Sequence, residues 1–196
     1  MDHWIYEKTK DGEVVYDVYS KLLKDRILFL YEEIDSEVAS KIVALLLYLN
    51  SESKTKEIKL YINSPGGTAE GFFAIYDAIN HIQAPIRTIC IGEACSAAAD
   101  LLAAGTPGKR EATPNAQIMI HSIQIEDLSG SMTTVVKDMA RTRLIHKKTI
   151  EILAGNTGQS FAKVLKDCKT DKYMSARDAL EYGIIDRILQ PKKRKR

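Results

Sequence analysis

The sequence predicts an α/β fold of repeated βαβ units around a largely parallel sheet, on three observations. Short β-branched runs at residues 58–62 and 86–91 read as strands, whereas residues 70–82 and a segment with Val38, Ile42, Leu45, Leu46 and Leu49 on one face read as helices. Strands and helices alternate at a spacing that suits crossover connections. Gly and Pro punctuate the strand ends, above all in Asn63-Ser64-Pro65-Gly66-Gly67.

Taken in order, residues 1–14 show no clean periodicity. With Trp4, Ile5 and Tyr6 among charges, they read either as an arm that orders against a partner or as a frayed terminus. Residues 16–23 read as a short helix and 26–31 as a strand, and Asp35 or Ser36 caps the helix that follows. Beyond strand 58–62, the Pro-Gly-Gly break leads into helix 70–82, where His81 suits the negative end of the helix dipole. Strand 86–91 gives way to a tight turn of small residues around Ser96 and then to an Ala-rich helix over 97–104. A strand over 117–121 ends on His121, residues 122–130 are mixed, and a long helix runs from about 132 to 154 with Gly155-Asn156 as its stop. Helices near 160–166 and 175–182, a strand over 184–189 and a basic tail at 190–196 complete the reading as one domain over 1–196.

Composition bounds the function. A chain of 196 residues that is 45% hydrophobic can bury a real core, and a net charge of +2 selects no acidic partner. The only marked charge run, Lys192-Lys193-Arg194-Lys195-Arg196, reads as a solvated end rather than a nucleic-acid site. Cys90, Cys95 and Cys168 form no C-x-x-C pair, which favours a reducing, cytoplasmic setting. Neither a membrane span nor the apolar core of a signal peptide is expected, and no cofactor or metal.

Ser96 sits where a strand turns into a helix. Such a turn aims a hydroxyl out of the sheet, beside the free backbone N–H groups of the helix start. A nucleophilic Ser needs that exposure and those donors, together with a base. Among the four histidines, His3 lies in the loose arm, His146 in a Lys-rich helix and His81 at a helix end, whereas His121 ends a strand that can reach the same sheet edge as Ser96. For the acid that orients it, spacing leaves Asp171 and Asp100 open. Cys95 is a further, minor nucleophile.

Asn63-Ser64-Pro65-Gly66-Gly67, Ile75-Tyr76-Asp77, Gly92-x-Ala94-x-Ser96, Leu102-Ala103-Ala104-Gly105, Gly108-Lys109-Arg110, Met119-Ile120-His121, Thr157-Gly158-Gln159-Ser160 and Met174-Ser175-Ala176 together resemble the family of Clp protease proteolytic subunits, ClpP. Order and gaps match from about residue 16 to 189. The resemblance implies a ClpP/crotonase-like fold with a protruding handle helix, over 122–154 here. It also implies a serine endopeptidase whose catalytic positions fall on Ser96, His121 and Asp171, with the N–H groups of Gly67 and Ala97 as the oxyanion hole. The family further implies two stacked heptameric rings, a tetradecamer, whose outer face receives an AAA+ Clp unfoldase that threads unfolded chains inward using ATP.

The chain departs from the family pattern at several places. His121 is followed by Ser122-Ile123-Gln124-Ile125 where the family has Gln-Pro and glycines, and this segment is one residue longer. In the aromatic docking cleft Tyr61 fits, but the other matching positions are Lys59, His81 and Glu111. Lys169-Thr170 replaces an acid-Arg pair that links rings, and Ala98 and Asp100 replace a Gly and an apolar residue beside the nucleophile. These changes suggest a divergent paralogue that needs a second ClpP-type subunit. Two further readings are a weakly active or regulatory ring subunit and a crotonase-like acyl-CoA enzyme.

Overall fold

The computed structural model describes residues 4–10, 12–125 and 128–190. His3, the Glu126-Asp127 step and the basic tail from Pro191 lie outside the described residues. Five parallel strands form the body of a seven-stranded sheet: β3 (Ile27–Leu30), β4 (Ile58–Ser64), β5 (Ile86–Cys95), β6 (Arg110–Ala112) and β9 (Arg187–Ile188), in that spatial order. β7 (Gln117–Ile120) pairs parallel with the far half of β5, and β8 (Lys172–Ser175) closes antiparallel on β7. The expected α/β architecture is therefore present.

Helices α2 (Ser36–Glu52), α3 (Ala69–His81) and α4 (Ala97–Ala103) bury Ile42, Leu46, Leu49, Phe72, Ile75 and Leu101 with the strand residues Leu28, Leu60, Ile62 and Ile89. The caps follow local chemistry. Asp35 accepts from the Val38 N–H at 2.8 Å, and Thr68 from the Gly71 N–H at 3.1 Å.

Five expectations are corrected. Trp4–Thr9 (β1) and Gly12–Asp17 (β2) pair as an antiparallel hairpin, so the described part of residues 1–14 is strand rather than frayed, and Tyr16 is in a strand. The short helix α1 starts only at Val18, capped by Asp17. A Lys21–Glu7 ion pair at 2.5 Å clamps the hairpin to α1 (Val18–Lys24). β5 runs on past residue 91 to Cys95. Gly92, at φ +92°, forms a bulge there, since Ile62 pairs with Cys90 but Ser64 with Ala94.

The long helix α5 (Met132–Thr157) does not stop at Gly155. Its last turn is held by Arg110, whose guanidinium donates to the Asn156 carbonyl at 2.7 Å, and the left-handed cap is Gly158. The final strand is shorter than 184–189, being Arg187–Ile188 after α6 (Phe161–Asp167) and α7 (Ala176–Tyr182).

The amino ends of the parallel strands carry a ladder of charges. Glu57 accepts from Arg87 at 2.7 Å and from Lys109 at 2.6 Å, while Arg87 and Arg187 both hold Glu111. Glu111 is 3% exposed and is consumed by this network, so it does not present itself to a docking partner. Arg87, and then Lys109, hold the Glu57 carboxyl down at about 2 from its ordinary 4.5. A carboxyl whose folded value is depressed stabilises the fold fully above its unfolded value and loses that contribution as pH falls toward the folded one. Glu57→Gln is therefore expected to cost about 2 kcal/mol at pH 7 and almost nothing near pH 2. Urea denaturation of both proteins across that range checks it.

Candidate active site

Ser96 stands between β5 and α4 with φ +54° and ψ −127°, a conformation that a residue with a Cβ rarely holds. Two constraints keep it there. Its N–H donates to the Met119 carbonyl at 2.8 Å, which ties the end of β5 to β7, and its own carbonyl accepts from Ala99 and Asp100 in the first turn of α4. The hydroxyl, freed of any capping role, projects from the sheet.

The loop 63–67 is packed against this turn. Ser64, wholly buried, donates to the Glu32 carbonyl at 2.6 Å and accepts from the Gly66 N–H at 3.2 Å. Only glycine fits at residue 66, because a Cβ there would stand 2.6 Å from the Cys95 carbonyl oxygen and 2.7 Å from the Ser96 Cβ, at φ +103°. Gly67 lies equally close to Ile34, whose backbone brackets it through the Ile34 N–H to Gly66 and the Thr68 N–H to Ile34. The Gly67 and Ala97 N–H groups donate no backbone hydrogen bond among the described residues. Both residues line the same cleft as Ser96.

His121 follows the last residue of β7, and Asp171 precedes the first residue of β8. Because Ile120 pairs with Lys172 in that antiparallel ladder, the two side chains meet one step beyond it. His121 Nε2 is 2.8 Å from Ser96 Oγ, a formed hydrogen bond. His121 Nδ1 is 3.4 Å from Asp171 Oδ1, longer than a formed N–H···O bond. The imidazole is well buried while the Asp171 side chain is half exposed. Of the two acids that spacing left open, the structure brings Asp171 to His121. Asp100 lines the same cleft but contacts neither ring nitrogen.

Gln124 was not anticipated from the sequence. Its amide nitrogen lies 3.3 Å from His121 Nδ1, on the side where Asp171 also approaches. An amide N–H aimed at Nδ1 favours the tautomer with its proton on Nε2, whereas Asp171 favours the opposite one. The signal available in the sequence was the departure immediately after His121.

The other two histidines among the described residues are not at the site. His81 closes α3 at the surface and His146 is within α5. Cys95 is buried, and that burial, with Glu93 beside it, pushes its thiol up to about 11, so it stays protonated at neutral pH. Among the described residues no group of His, Cys, Asp and Glu is arranged to hold a metal ion, and no helix is long and apolar enough to cross a membrane.

The cleft holds about 600 Å³ and gathers Ser96, Ala97, Gly67 and His121 on its floor with Ile123, Gln124, Ile125 and Leu128 from the following segment. An exposed hydroxyl bonded to an imidazole, beside two unengaged backbone N–H groups, suits attack on a carbonyl and capture of the resulting oxyanion. The Clp protease family model matches residues 10–192. The fold, the order of the motifs and that match together show that the chain belongs to the Clp protease family, a family of peptidases.

Proposed function

We propose that this chain is a serine endopeptidase subunit of a self-compartmentalised, ATP-dependent protease, with Ser96, His121 and Asp171 as its catalytic groups. The 2.8 Å hydrogen bond from Ser96 to His121 at the strand-to-helix turn carries this reading. Ser96 Oγ attacks the scissile carbonyl carbon, and His121 Nε2 takes the hydroxyl proton and passes it to the leaving amine. Asp171 holds the proton on Nδ1 and supports the imidazolium. The Gly67 and Ala97 N–H groups receive the oxyanion. Water then enters, loses a proton to His121 and releases the acyl group from Ser96. This chemistry calls for no cofactor.

Assembly follows from exposed apolar surface. Met132, Val136 and Leu144 on α5 are 80%, 61% and 71% exposed, more apolar side chain than an isolated helix leaves in water without a partner. In our reading α5 is the handle that joins two heptameric rings. An AAA+ Clp unfoldase would dock where Phe29 packs against Tyr19, Tyr31 and Tyr61, over an apolar pocket of about 390 Å³. The three free cysteines suit a cytoplasmic home.

The test is hydrolysis of fluorogenic short peptides by the purified protein beside Ser96→Ala, with particle mass measured on the same samples. Hydrolysis at a double-ring mass that vanishes in Ser96→Ala is the expected result, and a double ring that leaves every peptide intact contradicts it.

One observation favours a second reading, a weakly active or regulatory subunit that requires a second ClpP-type paralogue. His121 Nδ1 is shared between Asp171 at 3.4 Å and Gln124 at 3.3 Å, so the relay is incompletely set in the isolated chain. Under that reading hydrolysis and double rings form only on mixing with the paralogue.

The loop at residue 66 gives a sharper check. Gly66→Ala is expected to lower kcat by about 100-fold, because the new methyl group must displace Ser96 or the Cys95 carbonyl. Circular dichroism of the variant distinguishes this from unfolding.

A further inference from the structure

Asp100 is the one charged residue of α4, whose other residues are the buried Ala97, Ala98, Ala99, Leu101, Leu102 and Ala103. It follows Ser96 by one helical turn, about 5 Å along the axis, with its N–H on the Ser96 carbonyl at 3.2 Å. Its side chain lines the same cleft as Ser96 and His121. Among the described residues, no donor and no cation engages its carboxylate. Burial alone pushes this carboxyl up to about 8. Raised that far, the group is mostly protonated at neutral pH and ionises when a cation is brought beside it, and the serine chemistry does not use it.

The charges around it point one way. The cleft also receives Glu33, Glu70 and Asp138, against a single guanidinium, Arg141, which is already engaged by Glu70 at 3.2 Å. Behind α4, Cys168 is held as a neutral thiol, pushed up to about 12 chiefly by burial. His121 is occupied by Ser96. Among the described residues that line the cleft, no cation is therefore left to pair with Asp100. Of the apolar residues that line the cleft, Ile123, Ile125, Leu128 and Ile145 keep exposed surface, which suits an aliphatic stem that carries a charged head.

We propose that Asp100 is the specificity-determining group of this cleft and selects peptides with Lys or Arg as the residue on the acyl side of the scissile bond. The inference rests on the serine-peptidase reading. The Lys or Arg stem lies along the apolar wall, and its head reaches the Asp100 carboxyl one turn beyond Ser96, which ionises to pair with it.

The experiment compares kcat/KM for three fluorogenic peptides that differ only in that residue, Arg, Lys or Leu, in the full-length protein, Asp100→Leu and Asp100→Asn. Labelling of Ser96 by a fluorophosphonate is read on the same samples. Arg and Lys peptides are expected to exceed the Leu peptide by about 10-fold or more, and both variants to lower that ratio by about 10-fold or more. Asp100→Asn keeps the side-chain volume, so its ratio remains informative if Asp100→Leu misfolds. A labelled Ser96 with the Leu peptide cleaved equally well, or a ratio unchanged in Asp100→Asn, overturns the specificity inference alone. An unlabelled Ser96 with all three peptides intact overturns the peptidase reading beneath it.

Discussion

His121→Ala is expected to lower kcat for peptide hydrolysis by about 10⁴-fold or more, with KM little changed. Without the imidazole, the Ser96 hydroxyl keeps its proton at neutral pH and the leaving amine receives none. The oxyanion donors of Gly67 and Ala97 remain, so a residual rate above the uncatalysed one is expected to persist. Asp171→Asn is a graded version of the same experiment. Its contact to Nδ1 is 3.4 Å long, it is half exposed and it competes with Gln124, so the expected loss is nearer 100-fold than 10⁴-fold. Steady-state kinetics on one fluorogenic peptide measure both. A His121→Ala variant that keeps wild-type kcat would remove His121 from the mechanism.

The second large effect concerns stability. Arg110 is 9% exposed and donates to both oxygens of Asp186, at 2.9 and 2.5 Å, and to the Asn156 carbonyl at 2.7 Å. The Asp186 carboxyl also accepts the Arg110 N–H at 3.0 Å. One side chain thus ties β6 to the end of α5 and to the entry of β9. Removing one partner of a buried pair strands the other, and Arg110→Met is expected to cost about 3–5 kcal/mol. The double variant Arg110→Met with Asp186→Leu is expected to regain a large part of that loss. Arg110 holds the Asp186 carboxyl below its ordinary range. Its contribution is complete above the unfolded carboxylate value and fades as pH falls through the lower folded value. Urea denaturation at fixed protein concentration, at pH 7 and at pH 3, measures both effects. Equal stability of wild type and Arg110→Met at pH 7 would contradict this account.

How much of this was legible in the sequence depended on whether local pattern or long-range pairing fixed each element. The Ser96 turn was legible because a β-branched run meets an Ala-rich run across small residues, and the local backbone decides that geometry. His121 was legible as a strand end. The choice between Asp171 and Asp100 was not, because it is made by β7 pairing antiparallel with β8 fifty residues later, and Lys172-Tyr173-Met174-Ser175 carries no clear alternation. The resemblance, not spacing, pointed to Asp171. β6 was missed for a related reason. Two of its three residues are Arg110 and Glu111, which enter the interior only because Asp186, Arg87 and Arg187 neutralise them from other elements. The N-terminal hairpin was missed because its alternation places Trp4 and Tyr6 outward, so no buried face marks it as a strand pair. At Gly155 the sequence signal for a helix stop was real. The Arg110 contact to Asn156 overrode it.

The most direct measurement is the intact mass of the full-length protein after exposure to a fluorophosphonate, followed by peptide mapping of the adduct and repeated on His121→Ala. Activation of Ser96 by His121 predicts a single adduct on Ser96, formed rapidly in the wild type and slowed by orders of magnitude in the variant. An adduct elsewhere, or a Ser96 adduct formed equally fast without His121, would contradict the serine-peptidase account.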